Sequence, residues 1–232
     1  MVEDETLQRR RVLYGRRVGH ALRPQQKRLM QEVLPRCAIL SEGPLDPLQI
    51  FPETRGLGVE IGFGGGEHLA AQAQLHPDWG FLGAEPFING VAKLLAHISQ
   101  QSLNNVRMLM GDGRSLLERL PDACADAVYI LFPDPWPKAR HFKRRIIQPE
   151  TLDQIVRILK EQGELRVATD VPDYAVWTLM HAGKRRALRF AADRPRDWHE
   201  RPVDWPPTRY ELKARAAGRS CVYLRYLKFS HL

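Results

Sequence analysis

From Leu57 onward, short apolar runs alternate with stretches in which apolar side chains recur every three or four positions. The runs LGVEIG (57–62), GFLGAE (80–85), VRMLM (106–110), DAVYILF (126–132) and ELRVAT (164–169) have the length and composition of buried strands. Between and after them, GEHLAAQAQLH (66–76), FINGVAKLLAHISQQ (87–101), RSLLERL (114–120), PETLDQIVRILKEQG (149–163) and PDYAVWTLMHAGK (172–184) have helical spacing. Pro149 opens the fourth of these helices and Gly163 closes it. ALRFAAD (187–193) and the alternating CVYLRYLKF (221–229) are further strand candidates. Strands alternating with helices predict an α/β fold, a single doubly wound, mostly parallel seven-stranded sheet with helices on both faces. Ahead of it, PQQKRLMQEVL (24–34) is a short helix begun by Pro24 and stopped by Pro35, 41–55 is a Pro- and Gly-rich linker, and 1–20 is a basic arm without periodicity, expected to be mobile. The expected division is 1–55 for arm, helix and linker and 56–232 for the sheet domain.

In such a sheet, ligands bind beyond the carboxyl ends of the strands, near the switch point. The first strand is followed by GFGGGEH, the second ends at Glu85, the third runs into Gly111-Asp112-Gly113, the fourth into FPDPWPK and the fifth into Asp170. One edge of the sheet therefore collects carboxylates, with Glu60 inside the first strand.

Gly62 and Gly64 let the backbone approach a ligand closely at a helix start. The dinucleotide fingerprint G-x-G-x-x-G fails, because position 67 is Glu; E-x-G-x-G-x-G, counted from Glu60, fits instead. Acids ahead of and inside the loop would repel a pyrophosphate and suit a cationic ligand. Glu85 stands where a carboxylate grips ribose hydroxyls, and Asp112 can accept from an adenine amino group. A positively charged nucleoside without phosphate matches S-adenosylmethionine. The glycine loop alone is equally compatible with an ordinary strand–helix turn; Glu85 and Asp112 in register favour the ligand.

Composition narrows the class. The chain has 232 residues, 44% hydrophobic, enough for one domain with a full core. Three dispersed cysteines without a CxxC pair argue against a disulfide framework and for a reducing, cytoplasmic setting. No signal peptide and no apolar run long enough to cross a membrane is expected. Eight singly scattered histidines make a metal site a poor fit. The net charge of +8 points to phosphate-rich partners mainly through its placement, at 9–17, 138–145 and 184–189.

The most informative stretch is FPDPWPKARHFKRR (132–145). Its alternating prolines hold the chain open after the fourth strand. An acid and two aromatics come first and a basic run follows. With EIGFGGG, ATDVPDYAVW and TRYELK, in this order and spacing, it resembles the bacterial tRNA (guanine-N7-)-methyltransferases, over about residues 14–228. The resemblance implies a Rossmann-like class I methyltransferase fold and methyl transfer from S-adenosylmethionine to N7 of guanine 46 in the tRNA variable loop. By motif matching, Glu60, Glu85, Asp112 and Asp134 contact the cofactor, beside Gly62 and Gly64, and Asp134 also stands at the catalytic centre. Lys138, Asp170 and Thr208, Arg209, Tyr210 and Glu211 hold substrate. Arg140, His141, Phe142, Lys143, Arg144 and Arg145 meet RNA. Phe132 reads as core at the strand end, and Trp136 as either core or a base-stacking platform. Two stretches depart from the family pattern, GAEPF at the second strand end and RPVDWPPTRYELKARAAGRS near the C-terminus.

Two other readings compete. Amino-methyltransferases carry a [D/N]-P-P-[Y/W/F] loop, whereas here a single proline separates Asp134 from Trp136. An RNA-binding module that kept the fold and lost catalysis would not need the full set of acids.

Overall fold

The computed structural model describes residues 13–15 and 17–229. The rest of the expected arm, 1–12 and 16, lies outside the described residues. Three short helices, α1 (Pro24–Glu32), α2 (Leu34–Cys37) and α3 (Pro47–Ile50), precede the sheet. Then follow β1 (Gly56–Ile61), α4 (Glu67–Leu75), β2 (Trp79–Ala84), α5 (Ile88–Gln101), β3 (Val106–Leu109), α6 (Gly113–Arg119) and β4 (Ala125–Leu131). A 3₁₀ helix (Ala139–Arg144) leads to α7 (Pro149–Ile158), β5 (Leu159–Thr169), α8 (Pro172–Ala182), β6 (Leu188–Phe190), α9 (Arg196–His199), α10 (Arg209–Ala216) and β7 (Val222–Lys228).

The seven strands form one sheet in the order β3-β2-β1-β4-β5-β7-β6. Pairing is parallel from β3 to β5, and β7 runs antiparallel to both β5 and β6. The expected fold class holds. β1 is buried along its whole length, as a central strand covered on both faces must be. The two-residue side-chain period sorts the core into layers. Val128 and Ile130 face the cluster under α6, α7 and α8. Tyr129 and Leu131 face the other side, where Trp205 and Ala214 of the α10 region cover them. Phe81, Val106 and Met108 pack beneath α4 and α5 in the same cluster as Leu29, Val33 and Cys37. The segment ahead of Gly56 is thus laid onto the sheet, and Ala38 makes a parallel bridge to Met108.

Elements differ from the sequence pattern in several places: the expected linker 41–55 contains α3, the strand expected over 187–193 is confined to Leu188–Phe190, and α9 and α10 carry no expectation from the sequence. The helix expected over 149–163 ends at Ile158, and β5 begins at Leu159. Leu159 pairs with Ala125, but the next pairing is Glu164 with Ala127, so 160–163 bulge out of the ladder. Gln162 takes φ 63 in that bulge. The apolar phase of α7 runs on through Leu159, which is why periodicity alone extended the helix.

The chain runs outward from β1 through β2 to β3 and then crosses back to β4 on the other side of β1, which places the switch point between β1 and β4. The carboxyl ends of β1 to β4 open there onto a cleft of about 440 Å³.

Candidate active site

The loop after β1 forms the floor of the cleft. Gly62 and Gly64 both take positive φ (76 and 56) and line the cavity. A close approach from α5 fixes the loop: a Cβ on Gly90 would stand 2.1 Å from the carbonyl oxygen of Gly64. Gly90 carries no motif signal, and only this contact reveals its importance.

Glu85, just beyond β2, holds the same loop from the side. Its Oε2 accepts from the Gly64 N–H at 2.7 Å and its Oε1 from the Phe87 N–H at 2.9 Å. Burial is the main cause of its raised pKa, with the charges of Asp134 and Glu60 adding to it and the two backbone hydrogen bonds opposing it. Each carboxylate oxygen accepts more than one hydrogen bond, so both remain available to ligand hydroxyls. Asp112 caps α6 through the Arg114 N–H (3.0 Å) and pairs with the Arg114 guanidinium at 2.6 Å.

Glu60 is placed differently. It is buried beneath the glycine loop, outside the cleft lining, with its Oε2 2.8 Å from His68 Nδ1. The His68 ring packs against Tyr129 and Trp205, at 4.7 and 6.0 Å between centroids. Its geometry is that of a brace joining β1 to the first turn of α4. A lone histidine in a helix gives no sequence signal for such a pairing.

The loop after β4 carries the reacting end. Phe132 and Trp136 both take left-handed backbone, φ 50 and 41, on either side of Asp134. Two such residues within one short loop store strain that the surroundings must hold. Phe132 does both jobs open to it: it packs against the Tyr129–Trp205 cluster and lines the cleft. Asp134 faces the cleft with no ion pair among the described residues. The cleft walls strip enough water from its otherwise open carboxyl to raise its pKa.

Arg145 supports this loop from below. Its side chain is fully buried, pairs with Asp173 and donates from Nε to the Pro135 carbonyl at 2.9 Å. Its guanidinium lies over the rings of Phe142, Trp177 and Tyr174. The structure thereby separates Arg145 from the other members of the basic run. Lys138, Arg140 and Lys143 are exposed on or beside the 3₁₀ helix. His141, half-buried beside them, has a pKa below the usual histidine value, through local desolvation first and then the charges of Arg144, Arg140, Lys138 and Lys143. Phe142 turns inward against Trp177, 5.2 Å between centroids.

The described part of the expected arm is tied over the same cleft. Ile88 N–H donates to the Arg17 carbonyl (3.1 Å), and the Asn89 side chain bonds both the Gly19 N–H (2.9 Å) and the His20 carbonyl (2.7 Å). Leu13 and Tyr14 line the cavity. Arg144 is held between the Tyr14 and Trp136 rings, 4.6 and 5.0 Å from their centroids. Neither the Asn89 tether nor the Tyr14 contact was readable from the sequence.

The last motif divides. Thr208 caps α10 by accepting from the Glu211 N–H at 3.2 Å, while Arg209 and Tyr210 line the cleft. Glu211 is buried between Arg201 (3.2 Å) and Arg215 (3.0 Å). Asp170, beyond β5, accepts from Arg219 Nε at 2.6 Å. The structure therefore brings Gly62, Gly64, Glu85, Asp112, Asp134, Arg144, Arg145, Arg209 and Tyr210 to one cavity, and leaves Glu60, Lys138, Arg140, His141, Phe142, Lys143, Asp170, Thr208 and Glu211 off its lining. Among the described residues no cluster of histidine, cysteine and acids is arranged to hold a metal ion, and no helix is long and apolar enough to cross a membrane.

Comparison with known proteins agrees with this architecture. Residues 54–224 match the model of a family described as "Putative methyltransferase". The 16S rRNA methyltransferase KamB superposes with a TM-score of 0.56 at 15% identity, covering 78% of this chain and 92% of that one. The 16S rRNA (adenine(1408)-N(1))-methyltransferase of Catenulisporales acidiphilia gives 0.53 at 17%, covering 83% and 99%. At such identities these two establish the class I methyltransferase fold. Sequence relatives are nearer. The tRNA (guanine-N(7)-)-methyltransferase of Zymomonas mobilis is 48% identical over 93% of this chain and 94% of its own length. The protein of that name from Rhodospirillum rubrum is 49% identical over 91% and 85%. With that identity, that coverage and the cleft just described, the chain belongs to the tRNA (guanine-N(7)-)-methyltransferase family.

Proposed function

We propose that this chain methylates N7 of guanine in tRNA, at position 46 of the variable loop, with S-adenosylmethionine as donor. The observation that carries the reading is Asp134, a carboxylate without an ion-pair partner among the described residues, on a strained loop facing the same cavity as the glycine turn and Glu85.

The cavity suits the donor. Its size is that of a small-molecule site. Glu85, Asp112 and Asp134 make its rim unfavourable for a pyrophosphate and favourable for a cationic nucleoside. Glu85 holds the ribose hydroxyls through its spare lone pairs, Asp112 lies at the base end, and Gly62 and Gly64 form the cradle. When bound, S-adenosylmethionine supplies a methyl group on a sulfonium, so that an N–C bond forms as the C–S bond breaks and positive charge passes to the purine.

N7 of guanine carries a lone pair and no proton, so no residue has to act as general base. The work of the chain is alignment and charge. Asp134 positions the incoming base and offsets the charge that develops on it. Asp170 and Glu211 select guanine by accepting from its N1–H and amino group, once tRNA binding draws them from Arg219, Arg201 and Arg215. Lys138, Arg140, His141, Lys143 and Arg144 meet the tRNA backbone, where cations dominate affinity. Trp136 offers its ring to a base. Glu60 acts through the loop it braces, and Arg145 through the Pro135 carbonyl. Within the 1–55 segment, the described residues from Leu13 to His20 serve the 56–232 domain by covering its cleft, and the protein works in the cytoplasm, where its substrate is.

The test is methyl incorporation into unmodified tRNA from labelled S-adenosylmethionine, followed by strand cleavage at N7-methylguanine. Cleavage at position 46 is the expected result. Label on an exocyclic amine would replace this reading with an amino-methyltransferase. Bound but unlabelled tRNA would replace it with a binding protein.

A further inference from the structure

The two ends of the cleft differ in charge. Acids crowd the ends of β2, β3 and β4. The opposite end, where the first turn of α10 lies against the glycine loop, is cationic. Arg209 and Lys213 line it. Lys93 on α5 is near enough to both that their charges, after burial, lower its pKa, with nearby Glu67 opposing them. Contact with the loop is tight: a Cβ on Gly64 would stand 3.0 Å from Tyr210 Cε2.

Of the other cations lining the cavity, Arg114 is held by Asp112 and Arg145 by Asp173. Arg144 lies between two aromatic rings on the far side of the cleft, by the loop after β4, away from the glycine loop, and its Nε, like that of Arg209, has no acceptor among the described residues. Among the described residues neither Arg209 nor Lys213 has a carboxylate within ion-pair distance. The Arg209 guanidinium donates to the Tyr210 hydroxyl at 3.2 Å and lies over its ring. Its Nε is buried without an acceptor among the described residues. A buried donor left unpaired is costly, and a guanidinium most of all favours an anion. The Gly64 N–H, the nearest backbone donor of the loop, is already taken by Glu85.

We infer that Arg209 and Lys213, backed by Lys93, bind the α-carboxylate of the cofactor's amino-acid tail. The inference rests on the reading of this cleft as the S-adenosylmethionine site. With the ribose at Glu85 and the base towards Asp112, the tail runs along Gly62 and Gly64 to α10. Its carboxylate is the one anion the cofactor carries. These two side chains therefore discriminate a complete cofactor from nucleosides that lack the tail, and their position on the glycine-loop wall sets them apart from the basic 3₁₀ helix on the rim.

Calorimetry with two probes tests this. S-adenosylhomocysteine carries the tail; 5′-methylthioadenosine has the nucleoside and thioether without it. Arg209→Gln and Lys213→Gln should each weaken S-adenosylhomocysteine about tenfold, the loss of one charge-assisted hydrogen bond. Both should bind 5′-methylthioadenosine within about twofold of the unaltered protein. Lys213 is exposed, so its replacement leaves packing intact, and Lys213→Arg should restore most of the affinity. Equal losses for both probes would overturn the inference and make α10 a packing element only. Unchanged S-adenosylhomocysteine affinity with weakened tRNA binding would overturn it in favour of RNA phosphate. Failure of the unaltered protein to bind either probe would remove the cofactor reading itself, and this inference with it.

Discussion

The carboxylates beyond β4 and β5 stand at neighbouring strand ends and live in opposite surroundings. Asp134 follows β4 on a loop with two left-handed residues, has no ion pair among the described residues, and is pushed towards its neutral form by the walls around it. Asp170 directly follows β5 and is held by Arg219 at 2.6 Å. The same division runs through the sheet. On the antiparallel side Glu164 pairs with Arg166 and Arg225, Asp204 with Arg166, and Glu211 with Arg201 and Arg215. On the parallel side Asp112 pairs with Arg114 and Asp126 with Lys160, but Glu85 meets only backbone donors and Asp134 has no partner of either kind in the described residues. Acids on the antiparallel side are neutralised within the fold; of the cleft-lining acids, Asp112 is paired with Arg114 while Glu85 and Asp134 are kept short of ion-pair partners among the described residues, at some expense in stability. A carboxylate's role is thus written in what surrounds it more than in its position at the sheet edge.

The largest effect should come from Asp134. Asp134→Asn removes the charge that offsets the methylated purine, and turnover should fall by about 10²–10³, the usual loss when one preorganised electrostatic partner is deleted. Stability should not fall. The folded-state pKa of Asp134 is raised, so its contribution is full below the unfolded pKa and is lost as pH rises through the folded one. At neutral pH the carboxylate therefore opposes folding, and the variant's melting temperature should equal or exceed that of the parent. A variant that melts markedly lower would show that Asp134, like Asp170, is bound into the structure.

Arg145 and Lys143 sharpen the contrast within one basic run. Arg145→Met should cost about 2 kcal/mol of stability in denaturant unfolding, because it strands the Pro135 carbonyl and vacates a buried guanidinium site, while exposed Asp173 returns to water. Lys143→Ala should leave stability unchanged and reduce the slope of log affinity for tRNA against log salt by about one. If the two substitutions behaved alike, the separation of brace from RNA contact would be wrong.

Glu85 comes next. Glu85→Gln should weaken S-adenosylhomocysteine about ten- to a hundredfold in calorimetry, since hydrogen bonds to a charged acceptor are the strong kind. In the parent, affinity should fall on acidification as Glu85 gains a proton and loses acceptor capacity. Burial raises its pKa, so the midpoint should lie above the ordinary glutamate value. A midpoint at or below that value would mean that Glu85 does not contact the ligand.

Much of this was legible in the sequence. Short apolar runs, one of them alternating, gave the seven strands and 3.6-residue spacing most helices, and the order of acids after successive strands marked the cleft edge. Legibility stopped where meaning depends on a distant partner. Glu60 sits in the glycine motif, yet its partner is His68, eight residues on and on another element. Arg145 closes a run of exposed cations but turns inward, because Asp173 and three aromatic rings from 30 residues around wait for it. The arm reads as unstructured because its anchor is the Asn89 side chain, a contact spanning 70 residues. Local patterns encode elements; they do not encode which charges the fold will neutralise.

The smallest effect tests the comparison where it is most exposed. Asp170→Asn removes an acid that already has a partner, so Arg219, half-exposed at the surface, simply rehydrates. A surface ion pair of this kind contributes at most about 1 kcal/mol, so stability should shift little. Cofactor affinity should stay within about twofold, because Asp170 lies off the cavity lining. If tRNA binding frees the carboxylate to accept from guanine, KM for tRNA should rise about tenfold with a smaller change in kcat, the pattern of a lost ground-state contact. Arg219→Gln supplies the complement: with Asp170 released beforehand, KM for tRNA should fall or hold. A rise in KM on replacing Arg219, matching that for Asp170, would instead show the pair acting as one unit, and the line between neutralised and available acids would then have to be drawn beyond β5 instead of before it.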